Sequence, residues 1–465
     1  MIAYSSIRVR TTALAVFLCP SQFFNVARGI VFFIACGLLL AHGVAAQQPI
    51  TPRFPRPSDP PGPLFSSDPR GIDIKATEKF SEIPFEEWIA AKSVNSIPWN
   101  IEVSAPHLSI VQRLVVNFRV SISPKAFRSL GPGYQLAFAV RLKPAGGRYL
   151  EDGIHVGMTP MEELPKNAYV EFTGEAFVLP GEYTVGFIVY DTVTGRRSTG
   201  TRPLRVRSIA RDPVPELAKN LPPVEFFHGG FVSERDSDPE LRSRLFLPVP
   251  TRRPVRVEIL VNCTPSVEFE GRRQAHERNV SIMLGMLKVV SQLELPNGSV
   301  RVTALDLLHR SIIFEQDNVR ELDWTRLRDA LAQASPLRVS VKDLEERHRN
   351  AAFFRQVLQS RLQPPPRDRA TRSAARSDPA AEPLRVILIL CSPLLFPERS
   401  DLDPLPAVEG GDCRVYHLQY RITPWNLWDE LHRVLREFQP TSFQLETPSD
   451  FRRALARILA DLRAL

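Results

Sequence analysis

Between residues 98 and 208 hydrophobic and polar positions alternate in short runs. IEVSA, LVVNFRVSIS, YQLAFAVRL, YVEFTGEAFVL, EYTVGFIVYD and STGTRPLRVRS each place Val, Ile, Phe or Tyr at every second position. That spacing buries one face of a strand and leaves the other in water. Pro124, Gly131, Pro132, Gly133, Pro144, Pro180, Gly181 and Gly195 break the runs. Strands this short and this regularly spaced predict an antiparallel β-sandwich over residues 79–208.

From Pro254 onward the period changes. VRVEILVN (255–262) is a nearly continuous apolar run, suited to a strand buried on both faces. A helix is predicted near 272–293, with Val280, Met283, Leu284, Leu287 and Val290 on one side and Gly285 allowing close packing. SVRVTALDL (299–307) and RSIIFEQ (310–316) read as neighbouring strands, and helices follow at about 323–334 and 340–362. His348 shares the apolar side of the second helix and reads as a core-edge residue. LRVILILC (384–391) is the most apolar strand, CRVYHLQY (413–420) the next. WNLWDELHRVLREF (425–438) reads as a helix, SFQLE (442–446) as a short strand, and Ser449 as the N-cap of a C-terminal helix. Alternating strands and helices predict a doubly wound, Rossmann-like α/β domain over 253–465, with ligands at the carboxyl ends of its strands.

The remaining segments change the picture of where the chain works. Arg28 precedes the apolar run GIVFFIACGLLLA and then HGVAAQQ, the layout of a cleaved export signal over 1–46. The run falls short of the ~20 residues of a membrane span, so no stable span is expected after cleavage. The expected location is periplasmic or extracellular. Residues 47–78 are proline-rich and predict a disordered tether, 209–252 a proline-rich linker in which Phe226, Phe227 and Phe231 could clip onto a domain, and 363–383 a disordered insertion.

Of 465 residues, 59 are basic and 51 acidic, for a net charge of +8. Loss of Arg8, Arg10 and Arg28 with the leader leaves +5, spread among acids, and no nucleic-acid motif is present. Nucleic acid is therefore excluded as a partner. Three cysteines survive processing, Cys263, Cys391 and Cys413, with no CxxC pair or zinc spacing.

The hairpin LPGEYTVGFIVYDTVTGRRSTG resembles the penultimate hairpin of an immunoglobulin-like module, in which Tyr183 and Tyr190 are packing residues. Residues 253–465 resemble a von Willebrand factor A-like domain. The resemblance rests on a buried first strand ending in NCTPS, a long helix after it, the apolar strand 384–391 and the terminal SFQLETPSDFRRALARILADL. With the leader and the sandwich, the chain is similar to the exported proteins of this kind found in acidobacteria. The resemblance implies a metal-ion-dependent adhesion site with Asp-x-Ser-x-Ser at the end of the first strand, because Mg²⁺ takes hard oxygen ligands and carboxylates supply the charge. This chain has Asn262, Thr264 and Ser266 there, and Cys391, Ser392 and Pro393 where a second acid belongs. The site is therefore expected to be degenerate, with no metal and no cofactor. In the implied fold the first and fourth strands are neighbours ~4.8 Å apart. The resemblance thus places Cys263 and Cys391 either as a disulfide or as two buried thiols, with Cys413 at the opposite edge of the sheet.

These readings point to an exported, non-enzymatic interaction or adhesion module for a protein or cell-envelope ligand. Two alternatives stand beside it. One keeps a metal on Thr264 and Ser266 with acids from elsewhere, Asp306 or Asp317. The other is an exported hydrolase with Cys391, Ser392 or Ser266 as nucleophile. No G-x-S-x-G, H-E-x-x-H or phosphate loop accompanies those residues, and sequence places neither His276 nor His417 beside them. No catalytic residue is expected.

Overall fold

The computed structural model describes residues 84–91, 95–123, 125–126, 136–147, 150–155, 170–227, 243–264, 273–334, 341–346, 348–362, 383–391, 413–420, 434–435 and 438–464. The expected leader, the tether and most of the 363–383 insertion lie outside them, as do Ser266, Ser392 and Phe231.

The first half is built of α1 (Phe85–Ala90), β1 (Trp99–Val103), β2 (His107–Leu108), β3 (Leu114–Ile122), β4 (Leu136–Pro144), β5 (Leu150–His155), β6 (Val170–Val178), β7 (Gly181–Asp191), β8 (Arg197–Val206) and β9 (Val224–Phe227). They form two antiparallel sheets, ordered β1-β3-β6-β9 with β2 beside β3, and β5-β4-β7-β8. The alternation of the sequence supplies the shared core. Val116, Phe118, Val120 and Ile122 of β3 meet Leu136, Phe138, Val140 and Leu142 of β4 and Val185, Phe187 and Val189 of β7. Phe138 stacks on Phe172 at 5.1 Å and Phe118 meets Phe187 edge-on at 6.1 Å. The Tyr183 hydroxyl donates to the carbonyls of Leu179 (2.8 Å) and Pro223 (3.1 Å). The outer face of the second sheet carries small residues, Ala137, Ala139 and Gly186, which make room for Phe85 of α1.

The second half comprises β10 (Val255–Asn262), α2 (Arg273–Val290), β11 (Gly298–Asp306), β12 (Ser311–Gln316), α3 (Trp324–Gln333), α4 (Val341–Glu345), α5 (His348–Leu362), β13 (Leu384–Cys391), β14 (Cys413–Tyr420), β15 (Thr441–Leu445) and α6 (Pro448–Arg463). A mixed six-stranded sheet runs β12-β11-β10-β13-β14-β15, with β12 antiparallel to β11 and the other pairs parallel. Val257, Ile259, Val261 and Cys263 point to the side packed by α2 and α6. Leu260, Ile387, Ile389 and Cys391 point to the side packed by α5 through Phe354 and Leu358.

The fold class read from the sequence needs correction. Among the described residues strand outweighs helix, 41% against 28%, with several antiparallel sheets, few helices and no clear doubly wound Rossmann-like domain. The physical reason lies in the connections. Strand β12 returns antiparallel to β11 as a hairpin rather than through a crossover. A continuous apolar strand reports burial on both faces; it does not report what covers them or how the chain crosses over.

The segment expected as a linker is instead packed between the two halves where it is described. Strand β9 pairs with β6, and Leu217, Leu245, Leu247 and Val249 are buried in the cluster shared with β10 and α2. Leu247 accepts from the Glu294 amide, and the Val249 amide donates to Glu294, both at 2.9 Å. Arg452 of α6 grips Asp212 with two bonds of 2.7 Å and donates to the carbonyls of Gln112 (3.2 Å) and Val214 (3.3 Å). A Cβ at Gly285 of α2 would come 2.5 Å from Ile110 Cγ2, so glycine is what lets α2 approach the sandwich.

Helix α6 starts earlier than Ser449. Thr447 is the cap: its hydroxyl accepts from the Asp450 amide, and the Asp450 carboxylate accepts from the Thr447 amide at 2.8 Å. Pro448 fits the first turn, where its missing N–H costs nothing. Thr447→Ala is expected to cost about 1 kcal/mol, read as a lower urea midpoint with an unchanged slope.

Candidate functional site

The polar residues of interest gather at the carboxyl ends of β10, β11, β13 and β14. Asn262 and Thr264 are each 4% exposed. Asn262 Oδ1 accepts from the Thr264 amide (3.1 Å) and from the Thr264 hydroxyl, whose oxygen accepts from the Leu307 amide at 2.7 Å. The buried Asp306 carboxylate accepts from the amides of Leu308 (3.0 Å) and His309 (3.2 Å) and sits against His309 Nδ1. The strand end therefore closes on its own backbone.

This arrangement does not fit the divalent cation that the resemblance implies. The oxygens of Asn262 and Thr264 are engaged with each other and with the β11 turn, and neither position supplies a charge. The acids considered for it are committed elsewhere. Asp306 holds the turn, and Asp317 pairs with Arg301, whose hydrogen bond keeps its carboxyl below the usual range. Ser266 lies outside the described residues.

Of the two arrangements left open for Cys263 and Cys391, the structure has the pair of buried thiols. Both residues are thiols, not bonded to one another. Val261 pairs with Leu390, so Asn262 lies abreast of Cys391 and Cys263 is one residue further along. Successive side chains alternate between faces, which puts Cys263 on the α2 side and Cys391 on the α5 side. Burial, aided by the Asp306 carboxylate, pushes the Cys263 thiol up to about 12; burial pushes Cys413 up to about 11 despite Arg385.

Sequence reasoning missed two features here. Cys391 Sγ lies 2.9 Å from His417 Nε2, with the two side chains 0% and 1% exposed. Ile389 pairs with His417 and Cys391 with Gln419, so the contact is a diagonal across β13 and β14 that only the register reveals. The second is Glu258, buried in mid-β10 beneath α5. It accepts from the Thr303 hydroxyl at 3.0 Å and faces Arg361 at 3.5 Å, which also reaches Glu315 at 3.1 Å. Burial pushes the Glu258 carboxyl up against the pull of Arg361 and Arg301. Glu258 fastens α5 over this face of the sheet.

No family model and no curated protein matches the chain. Among solved structures it is similar to a structural-genomics target, SoR45, over 25% of this chain and 90% of that one, at 16% identity and a TM-score of 0.16. It is also similar to a family 123 glycoside hydrolase from Clostridium perfringens over 75% of this chain and 72% of that one, at 8% identity and a TM-score of 0.22. Scores this low carry no argument about fold or activity. Among the described residues no helix is long and apolar enough to cross a membrane.

Proposed function

We propose that the protein is an exported interaction module for a protein or cell-envelope ligand, and that its binding does not depend on a metal. The supporting observation is the closure of the strand end: Asn262, Thr264 and the Leu307 amide satisfy one another where an adhesion site would hold its oxygens open. The export reading rests on the leader pattern of residues 1–46.

Calorimetry of the mature chain with Mg²⁺ and Mn²⁺ tests the metal-free reading. No saturable heat is expected with either ion. Micromolar binding that disappears in Ser266→Ala overturns it. The whole mature chain is the right material, because a 253–465 fragment would expose the surface that Val111, Val115 and Leu217 now cover.

A further inference from the structure

Most of the sheet face under α5 is apolar: Leu260, Ile387 and Ile389 lie against Phe354, Leu358 and Leu362. At the carboxyl end the same face turns polar on three adjacent strands. Asn262 of β10, Cys391 of β13, and His417 and Gln419 of β14 are all buried there. A core needing only volume would use aliphatic side chains, since each buried polar group costs free energy unless it is bonded.

The chemistry of the group is specific. The imidazole Nε2 of His417 stands 2.9 Å from the Cys391 sulfur, the separation at which a base takes a thiol proton. Asn262 supplies the second observation. Its Oδ1 is taken by Thr264, while Nδ2 is buried and has no hydrogen-bond partner among the described residues. Asn262 is abreast of Cys391 on the neighbouring strand and the same face of the sheet, so this unsatisfied donor is available to an oxygen that forms there transiently. The other two cysteines lack this setting: Cys263 is beside a carboxylate and Cys413 opens its strand.

We propose that Cys391 is an acyl-accepting nucleophile for small activated esters or thioesters, with His417 as general base and Asn262 Nδ2 as donor to the carbonyl oxygen. This goes beyond the interaction reading, which uses neither Cys391 nor His417. His417 Nε2 takes the thiol proton as Sγ bonds to the acyl carbon. The carbonyl oxygen, negative in the tetrahedral stage, accepts from Asn262. As the carbonyl re-forms, the bond to the leaving alcohol or thiol breaks and His417 returns the proton to it, leaving a thioester on Cys391. Water then attacks that carbon with His417 as base, the S–C bond breaks, and the proton returns to sulfur. The pair is fully buried, so only a small acyl group is compatible with the site.

The test is acid-quenched mass spectrometry of the folded mature chain after exposure to p-nitrophenyl acetate at neutral pH, with the acetyl group located by peptide mapping. Acetylation is expected on Cys391 at least about 10-fold faster than on Cys413 of the same molecule, a comparison that needs no variant to fold. His417→Gln is expected to slow it about 100-fold, and Asn262→Ala about 100-fold, with circular dichroism confirming the fold. The proposal is overturned if Cys391 reacts no faster than Cys413, or reacts only once urea has unfolded the chain. It is equally overturned if folded His417→Gln retains the wild-type rate.

Discussion

An Asp212→Ala variant is expected to lose about 3 kcal/mol of stability at neutral pH, because it leaves a buried guanidinium without its counter-charge. Arg452 is 4% exposed and makes both of its short bonds, 2.7 Å each, to Asp212. The carbonyls of Gln112 and Val214 are its other partners, and neither carries a full charge. Arg452→Met removes the charge along with the need to neutralise it and is expected to cost less. The pH dependence has a definite sign. Burial alone would raise the Asp212 carboxyl, but the Arg452 hydrogen bonds, the Val214 amide and the Arg452 charge outweigh it and hold the group below the ordinary aspartate range. A depressed carboxyl contributes stability that is complete above the unfolded value of ~3.9 and is lost as the pH falls through the folded one. The gap between wild type and Asp212→Ala in urea titrations should therefore be full at pH 7 and narrow as the pH falls below about 4. A gap that stays constant across that range would show that Asp212 acts by packing alone.

Gly298→Ala is expected to cost about 2–3 kcal/mol, the upper part of the range for forcing extra volume into a packed site. Gly298 opens β11 and pairs with Val255, the first residue of β10. A Cβ there would lie 2.2 Å from the Val255 carbonyl oxygen and 3.0 Å from Leu295 Cβ. The first of these is backbone, which no side-chain rotation can relieve, so β10 and β11 must shift where their pairing begins. Ser299→Ala, one residue on, is the control and should stay within about 0.5 kcal/mol of wild type. Equal urea midpoints for the two variants would contradict the close approach.

Much of the strand pattern is legible in the sequence, and what is legible follows from local physics. Runs such as LVVNFRVSIS and EYTVGFIVYD announce a strand with one wet face; β3 lies within the first, and β7 spans the second with Gly181 added before it. VRVEILVN and LRVILILC coincide with β10 and β13, because a strand covered on both sides has no polar face to show. The architecture above them was not legible. The doubly wound reading extrapolated from apolar strands to crossovers that residue pattern does not encode. The 209–252 segment looked like a linker because its prolines hide the spacing of Leu217, Leu245, Leu247 and Val249, which are buried one at a time.

At the candidate site, Asn262 and Thr264 could be named from the sequence, but their mutual satisfaction depends on the Leu307 amide 43 residues away. Between a bridge and two thiols at Cys263 and Cys391, parity decides for the thiols. A spacing argument knows that two strands are neighbours and does not know which face each thiol takes. The pairing of Cys391 with His417 was invisible for the same reason, since it needs the β13–β14 register to within one residue.

The grip of Arg452 on the sandwich also bears on the order in which the chain can fold. Its bond to the Gln112 carbonyl closes a loop of 340 residues, and Gln112 reaches back to the Pro448 carbonyl across 336. Contacts this distant in sequence form late, because the loop entropy must be met before they contribute anything. A ribosome releasing the chain from its N-terminus would deliver the sandwich strands well before α6. Until that helix arrives, Val111, Val115 and Leu217 lack part of their cover. The nascent protein is thus expected to carry a sticky apolar surface from the emergence of the sandwich strands until α6 has been made.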